Sequence, residues 1–233
     1  MEIMLKLNSD TAGYVFAEIR EESGVKRQKK ITVQDTIDIL NSSAEIDHTC
    51  RIGKMPEGFL DAEFDFSSLS GKVAVYVPKH TQLTDFNGEK AMVPFPNLIL
   101  MYKYSKGVHQ GTAAFATVEN NIRRINDNTI LYNYPFGNVT PGTGKVCWGS
   151  NRHEPIERIS EVNIFTDKFL NSSTNSDLYQ VGVSNSSKKE LSVFLHSLAK
   201  KHEKESEDGK EYIFEDKLLV PTINTFDSAF ANL

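Results

Sequence analysis

Apolar and polar positions first alternate near the start of the chain. Residues Met1 to Ile31 read as a β-hairpin: Ile3, Leu5 and Leu7 alternate with Glu2, Met4 and Lys6, and Tyr14, Phe16 and Ile19 supply a second apolar run. Glu21-Glu22-Ser23-Gly24 has turn chemistry, because Gly24 tolerates positive φ. The basic run Lys26 to Lys30 reads as a solvated strand end or, on a functional reading, as a contact for phosphate or a partner. Thr32 followed by Asp35 predicts a helix start, with Val33, Ile37 and Leu40 on one face. Ser42 to Gly71 carries no firm period and reads as loop and short strands.

From Lys72 the period of two is plain. Val73, Val75 and Val77 alternate up to Pro78, Asn87-Gly88 signals a hairpin turn, and Asn97 to Tyr104 makes an apolar strand after Pro94 and Pro96. Gly107 allows a turn into a further strand, Thr112 to Val118. Sequential strands joined by short turns predict an antiparallel meander.

The period then lengthens. Pro155 fits the first turn of a helix to about Leu170, with Ile156, Ile159, Val162, Ile164, Phe165 and Phe169 as its apolar stripe. Ser187 to Glu190 has the form of a capping box, opening a helix with Leu191, Phe194, Leu195 and Leu198 on one side. That helix fades into the charged stretch Lys200 to Glu211, and Tyr212 to Val220 reads as a last strand or docked tail before Pro221. The expected class is α+β. An extension of β-hairpin and helix over residues 1–71 precedes a core over residues 72–233, in which the sheet is covered by C-terminal helices.

Composition narrows the function classes. In 233 residues, 26 basic and 31 acidic side chains leave a net charge of −5, without the basic excess of a nucleic-acid binder. Cysteine occurs only at Cys50 and Cys147, a poor disulfide framework, so reduced thiols are expected. No run of about 18 apolar residues exists, and the first residues are too polar for a signal peptide. A soluble cytoplasmic protein off the membrane is the expectation. His48-Thr49-Cys50 lacks a second Cys/His pair at ligand spacing, so neither a metal nor a cofactor is expected.

Candidate chemistry concentrates in Leu131 to Asn151, LYNYPFGNVTPGTGKVCWGSN. Pro141 to Lys145 imitates a phosphate-binding loop, but Val146 stands where that loop needs a hydroxyl for Mg²⁺, so it reads as a turn. Cys147 lies among prolines and glycines that fix a backbone, as a nucleophile meeting a carbonyl carbon requires. Asn138, nine positions upstream, carries an amide able to donate to the oxyanion formed when an amine attacks a thioester. A cysteine hydrolase would instead need a histidine beside Cys147, from His80, His109, His153 or His196.

A meander followed by Tyr132, Pro135-Phe136-Gly137-Asn138-Val139 and Gly144-Lys145-Val146-Cys147-Trp148-Gly149 resembles the ubiquitin-conjugating enzymes. It resembles most the bacterial branch called prokaryotic ubiquitin-conjugating-like family D. Val77-Pro78-Lys79 and Val93-Pro94-Phe95-Pro96-Asn97-Leu98 upstream, and Ile164-Phe165 and Phe169 downstream, share the likeness, which spans about Lys72 to Val183. Phe136-Gly137 stands where the eukaryotic enzymes have His-Pro, and Trp148 where they usually have Leu.

The resemblance implies a ubiquitin-conjugating fold and a transferase with Cys147 as nucleophile and Asn138 in the oxyanion role. It also implies three partners: a ubiquitin-like protein, a ubiquitin-activating-like enzyme that supplies it, and a target that receives it. The alternative is a non-catalytic adaptor of the same fold that binds a ubiquitin-like partner. An adaptor is expected to bury Cys147 under a closed surface.

Overall fold

A computed structural model describes residues 2–7, 14–20, 26–37, 54–150, 153–210 and 212–233. The chain falls into two units, Met1–Cys50 and Arg51–Leu233. In the first, three strands replace the expected hairpin: β1 (Glu2–Leu7), β2 (Tyr14–Arg20) and β3 (Lys26–Thr32), antiparallel in that order. The basic run therefore lies within β3, where Gln28, Lys29 and Lys30 are exposed, and not at a strand end. Helix α1 follows, described over residues 33–37. Its start is the expected reciprocal box: the Asp35 N–H donates to Thr32 Oγ1 at 2.9 Å, and the Thr32 N–H donates to Asp35 Oδ2 at 3.4 Å. Its apolar face is not the covered one, since Val33 and Ile37 are exposed and Thr36 is buried. The turn at residues 21–24, Leu40 and His48 to Cys50 lie outside the described residues.

The second unit is built on a six-stranded antiparallel sheet, in spatial order β11 (Pro221–Thr225), β10 (Ile130–Asn133), β9 (Val108–Thr117), β8 (Asn97–Ser105), β5 (Ser70–Val77) and β4 (Phe59–Asp65). Its first strand, β4 (Phe59–Asp65), pairs with β5 (Ser70–Val77), so the sheet begins within the stretch that shows no period in sequence. β8 (Asn97–Ser105) and β9 (Val108–Thr117) are joined by Lys106 and Gly107, both at positive φ (52° and 75°), the backbone of a tight hairpin turn. Between β5 and β8 the chain leaves the sheet. β6 (His80–Phe86) and β7 (Glu89–Phe95) form a separate two-stranded ribbon around Asn87-Gly88, so the simple meander is interrupted by an excursion. Pro94 has no N–H to donate to a strand on its other side, which suits β7 to a single partner.

Alternation sends side chains of each strand to two cores. Val73, Val75, Leu98, Leu100 and Tyr102 pack on one face with Phe165, Phe194 and Phe214. Ala74, Ile99, Met101 and Phe115 pack on the other with Phe226 and Phe230. α2 (Val162–Leu170) starts later than Pro155 suggests, after a 3₁₀ turn at Ile159–Glu161, and the Ile156 N–H donates to the Gly107 carbonyl at 2.9 Å. Ile164 is half-exposed and leaves the stripe, whereas Val162, Phe165 and Phe169 are buried. α3 (Leu191–Glu207) continues through most of the charged stretch. No capping box opens it: the Ser187 hydroxyl donates to Asn185 Oδ1 instead.

Tyr212 to Val220 contains no strand and docks through buried Phe214 and Leu219. β11 (Pro221–Thr225) begins where that segment ends and pairs with β10 (Ile130–Asn133). Thr225 and Ser228 form a reciprocal cap on α4 (Phe226–Ala231), which covers the second face. Among the described residues no helix is long and apolar enough to cross a membrane.

Candidate functional site

β10 touches β9 only at Tyr132↔Ala116 and Asn133↔Phe115. The chain then swings out through Tyr134 to Gly137 and returns as a narrow hairpin, residues 138–147. Its return arm takes the place of β10 beside the earlier part of β9: Lys145 bridges Ala113, the Ala114 N–H donates to the Gly144 carbonyl at 2.8 Å, and the Val146 N–H donates to the Thr112 carbonyl at 3.0 Å. The two arms are joined by the Val139↔Val146 bridge and by the Thr140 N–H on the Lys145 carbonyl (2.9 Å). The Cys147 N–H closes the hairpin on the Asn138 carbonyl at 2.8 Å.

Close approach dictates glycine at two positions. A Cβ on Gly144 would stand 2.5 Å from the Phe115 ring, and φ there is 68°. A Cβ on Gly137 would stand 1.7 Å from the Asn175 carbonyl oxygen. Side chains brace the tip as well: Asn133 Oδ1 accepts from the Gly142 N–H and Asn224 Nδ2 donates to the Gly142 carbonyl, both at 2.6 Å. Pro141 to Lys145 is thus the turn its sequence suggests.

Cys147 is a free, exposed thiol. Along the return arm Val146 is buried while Lys145 and Cys147 are exposed, so the lysine and the thiol share one face. Among the described residues no hydrogen bond reaches the sulfur, and the rings of His80, His109 and His196 have partners in Pro78, Thr112 and Glu89. Asn138 takes the left-handed conformation (φ 65°) that asparagine tolerates better than most residues. Its amide Nδ2 donates to the Ser173 carbonyl at 2.8 Å, and its Oδ1 accepts from the Asn175 N–H at 3.3 Å. What Asn138 gives Cys147 directly is its main-chain carbonyl.

The residue after Cys147 is anchored through its side chain. The Trp148 indole N–H donates to Thr112 Oγ1 at 3.3 Å, and His109 Nε2 lies 2.7 Å from the same oxygen. The indole meets His153, His109 and Phe169 edge-on, at ring-centre distances of 4.3, 5.7 and 6.1 Å. Burial pushes His109 down to about 4, with neighbouring His153 adding to the effect and a Gly111 backbone hydrogen bond opposing it. His153 is also lowered, by burial first and then by Lys168, and neither of its ring nitrogens has a hydrogen-bond partner. In sequence His109 and His153 stand out only as possible bases, and nothing there links them to Thr112 or Trp148. His80 stacks on Phe95 and His196 pairs with Glu89, each in contacts of its own.

A groove of about 680 Å³ opens beside Lys145, between the 142–145 turn, β9 and α4, lined by Lys103, Ala113, Phe115, Ile223 and Ala229 among others. Among the described residues no cluster of three or more side chains could hold a metal ion.

No curated protein and no solved structure matches the chain. The model of one protein family, described as prokaryotic E2 family D, does match, over residues 47–221. That range takes in β4 to β10, the braced hairpin, α2 and α3, and it stops at the first residue of β11. With about three-quarters of its length so matched, the chain belongs to prokaryotic E2 family D.

Proposed function

We propose that the protein is a ubiquitin-conjugating-like transferase, in which Cys147 accepts the C-terminus of a ubiquitin-like protein from an activating enzyme and passes it to a target. The observation that carries this reading is an open thiol at the end of a hairpin braced from both sides, in a chain of this family. In the first step the Cys147 sulfur attacks the thioester carbonyl presented by the activating enzyme. A new C–S bond forms, the old one breaks, and the departing thiolate takes up the proton that Cys147 gives up. In the second step an amine or hydroxyl of the target attacks the new thioester and Cys147 leaves as thiolate.

Lys145, which shares a face with Cys147 two residues on, lines the groove between β9 and α4, a bed for an extended tail. Asn138 takes two parts on this reading. Its carbonyl fixes the Cys147 main chain, and the second N–H of its amide is the donor left for the oxyanion. The adaptor reading expects a covered thiol, whereas Cys147 is exposed.

Intact mass tests the proposal. The protein is mixed with ATP, a cognate activating enzyme and its ubiquitin-like protein, beside a Cys147→Ser control. A one-to-one adduct that thiol reductant removes from the wild type, with none or a reductant-resistant ester on the serine variant, is expected. No adduct on either form, with partners shown to be active, would leave the adaptor in front.

A further inference from the structure

We propose that Thr112, His109 and His153 are positioning residues for Cys147: they hold the indole of Trp148 in a buried seat that a protonated imidazole would disturb. The inference rests on the reading of Cys147 as nucleophile, but its geometry stands without that reading. An indole N–H can only donate, so Thr112 Oγ1 must accept from Trp148 (3.3 Å). The hydroxyl also has a proton to give and a second lone pair, so His109 Nε2, at 2.7 Å, completes the seat either by taking that proton or by donating to the oxygen. Thr112 is 3% exposed and water is not at hand to replace either partner.

His153 closes the other side of the seat. Its ring is 4.3 Å from the indole and 4.9 Å from His109, and both of its nitrogens are buried without partners. A proton on His153 would bury a charge without a partner, and one on His109 would bury a charge met only by the Thr112 hydroxyl and the Gly111 backbone. The ionisable groups facing the pair are Tyr104 on β8, 5.9 Å from His109 between ring centres, and Lys168 on α2, which acts on His153. No carboxylate is among the groups that shift either ring, and the lowered values of both fit a seat built for neutral rings.

Trp148 follows Cys147 directly, and Val146 before it is bonded to the Thr112 carbonyl. Thr112 therefore holds the nucleophile's strand by its main chain and the next residue by its side chain. Residue 112 acts on both neighbours of the sulfur-bearing residue while touching neither substrate nor sulfur.

Trp148 is the chain's single tryptophan, so its emission reports the seat directly. The full chain is titrated between about pH 7.5 and 3.5, and amide exchange over residues 145–149 is followed at neutral pH. Wild type is expected to change emission with a midpoint well below that of a free histidine, H109Q to shift or shrink that transition, and H109Q/H153Q to lose it. T112V, which keeps shape but removes the hydroxyl, should speed exchange at the Cys147 amide about tenfold, while T112S restores it. Emission that is flat with pH in the folded wild type, or a transition that H109Q/H153Q leaves in place, would overturn the proposal. So would a T112V protein that exchanges like wild type. Neither readout needs a partner protein, so failure here is distinct from failure to form the thioester.

Discussion

Two hairpins of the same unit make a useful contrast. The β6–β7 ribbon has a complete ladder from His80↔Phe95 to Phe86↔Glu89, and a tip, Asn87-Gly88, where an added Cβ on Gly88 meets nothing within 4 Å. The hairpin at residues 138–147 has a single bridge between its arms, yet its strand neighbour, its glycines and its tip are all gripped by the rest of the fold. The ribbon has a full ladder of its own, and although Phe86 bridges Thr174 and Val93 and Phe95 reach the core, its tip glycine faces open space. The hairpin that carries Cys147 has its glycines and tip held by residues far away in sequence, such as Phe115, Asn175 and Asn224. A tip that faces open space can change with little consequence, whereas one held from outside keeps a sulfur in place.

Glycine substitutions should separate the two most widely. Gly137→Ala drives a Cβ into the Asn175 carbonyl, and Gly144→Ala drives one into the Phe115 ring at positive φ. Each is expected to cost about 3 kcal/mol in urea unfolding and to slow the thioester formation proposed for Cys147. Gly88→Ala, strained only by its φ of 89°, should cost about 1 kcal/mol and leave thioester formation alone. Equal losses at Gly88 and Gly144 would erase the contrast.

Acid should act on the braced hairpin and spare the ribbon. His109 falls from its ordinary 6.5 to about 4 in the fold, so between those values the unfolded chain binds more protons and stability drops as pH falls. The loss is complete below the folded value and absent above 6.5. Unfolding curves of wild type and H109Q at pH 7 and pH 5 check it: the variant's difference between the two pH values should be the smaller. Least affected of all should be Cys147→Ser. Because the side chain is exposed and unpartnered among the described residues, its unfolding free energy should stay within about 0.5 kcal/mol of wild type while the thioester vanishes.

What could be read from sequence follows the same division. Val73, Val75 and Val77, the Asn87-Gly88 turn, and the Thr32–Asp35 cap are local devices, and the fold contains each of them. β4 escaped because its alternation, Phe59 to Asp65, becomes legible only against β5, with a shift in register between Phe59 and Asp61. Pro155 and Ser187 look like helix starts, but the residue after Pro155 is tied to a distant carbonyl, Gly107, in non-helical chain, and a neighbouring amide, Asn185, takes the Ser187 hydroxyl. The prolines and glycines around Cys147 marked a fixed backbone. They could not name its clamps, since Thr112 and Trp148 stand 36 residues apart.

The second face of the sheet has a bearing on how the molecule is made. Lys72 on β5 donates to the carbonyls of Phe230 and Ala231 across 158 and 159 residues, and Phe226 and Phe230 complete a core with strands synthesised much earlier. At a ribosomal pace of about 5–20 residues per second, Ile99, Met101 and Phe115 wait for several seconds before their cover is translated. A nascent chain can already have laid down β5, β8 and β9 and still present an uncovered apolar sheet. Chaperone demand during synthesis should therefore peak late and ease only once α4 has emerged.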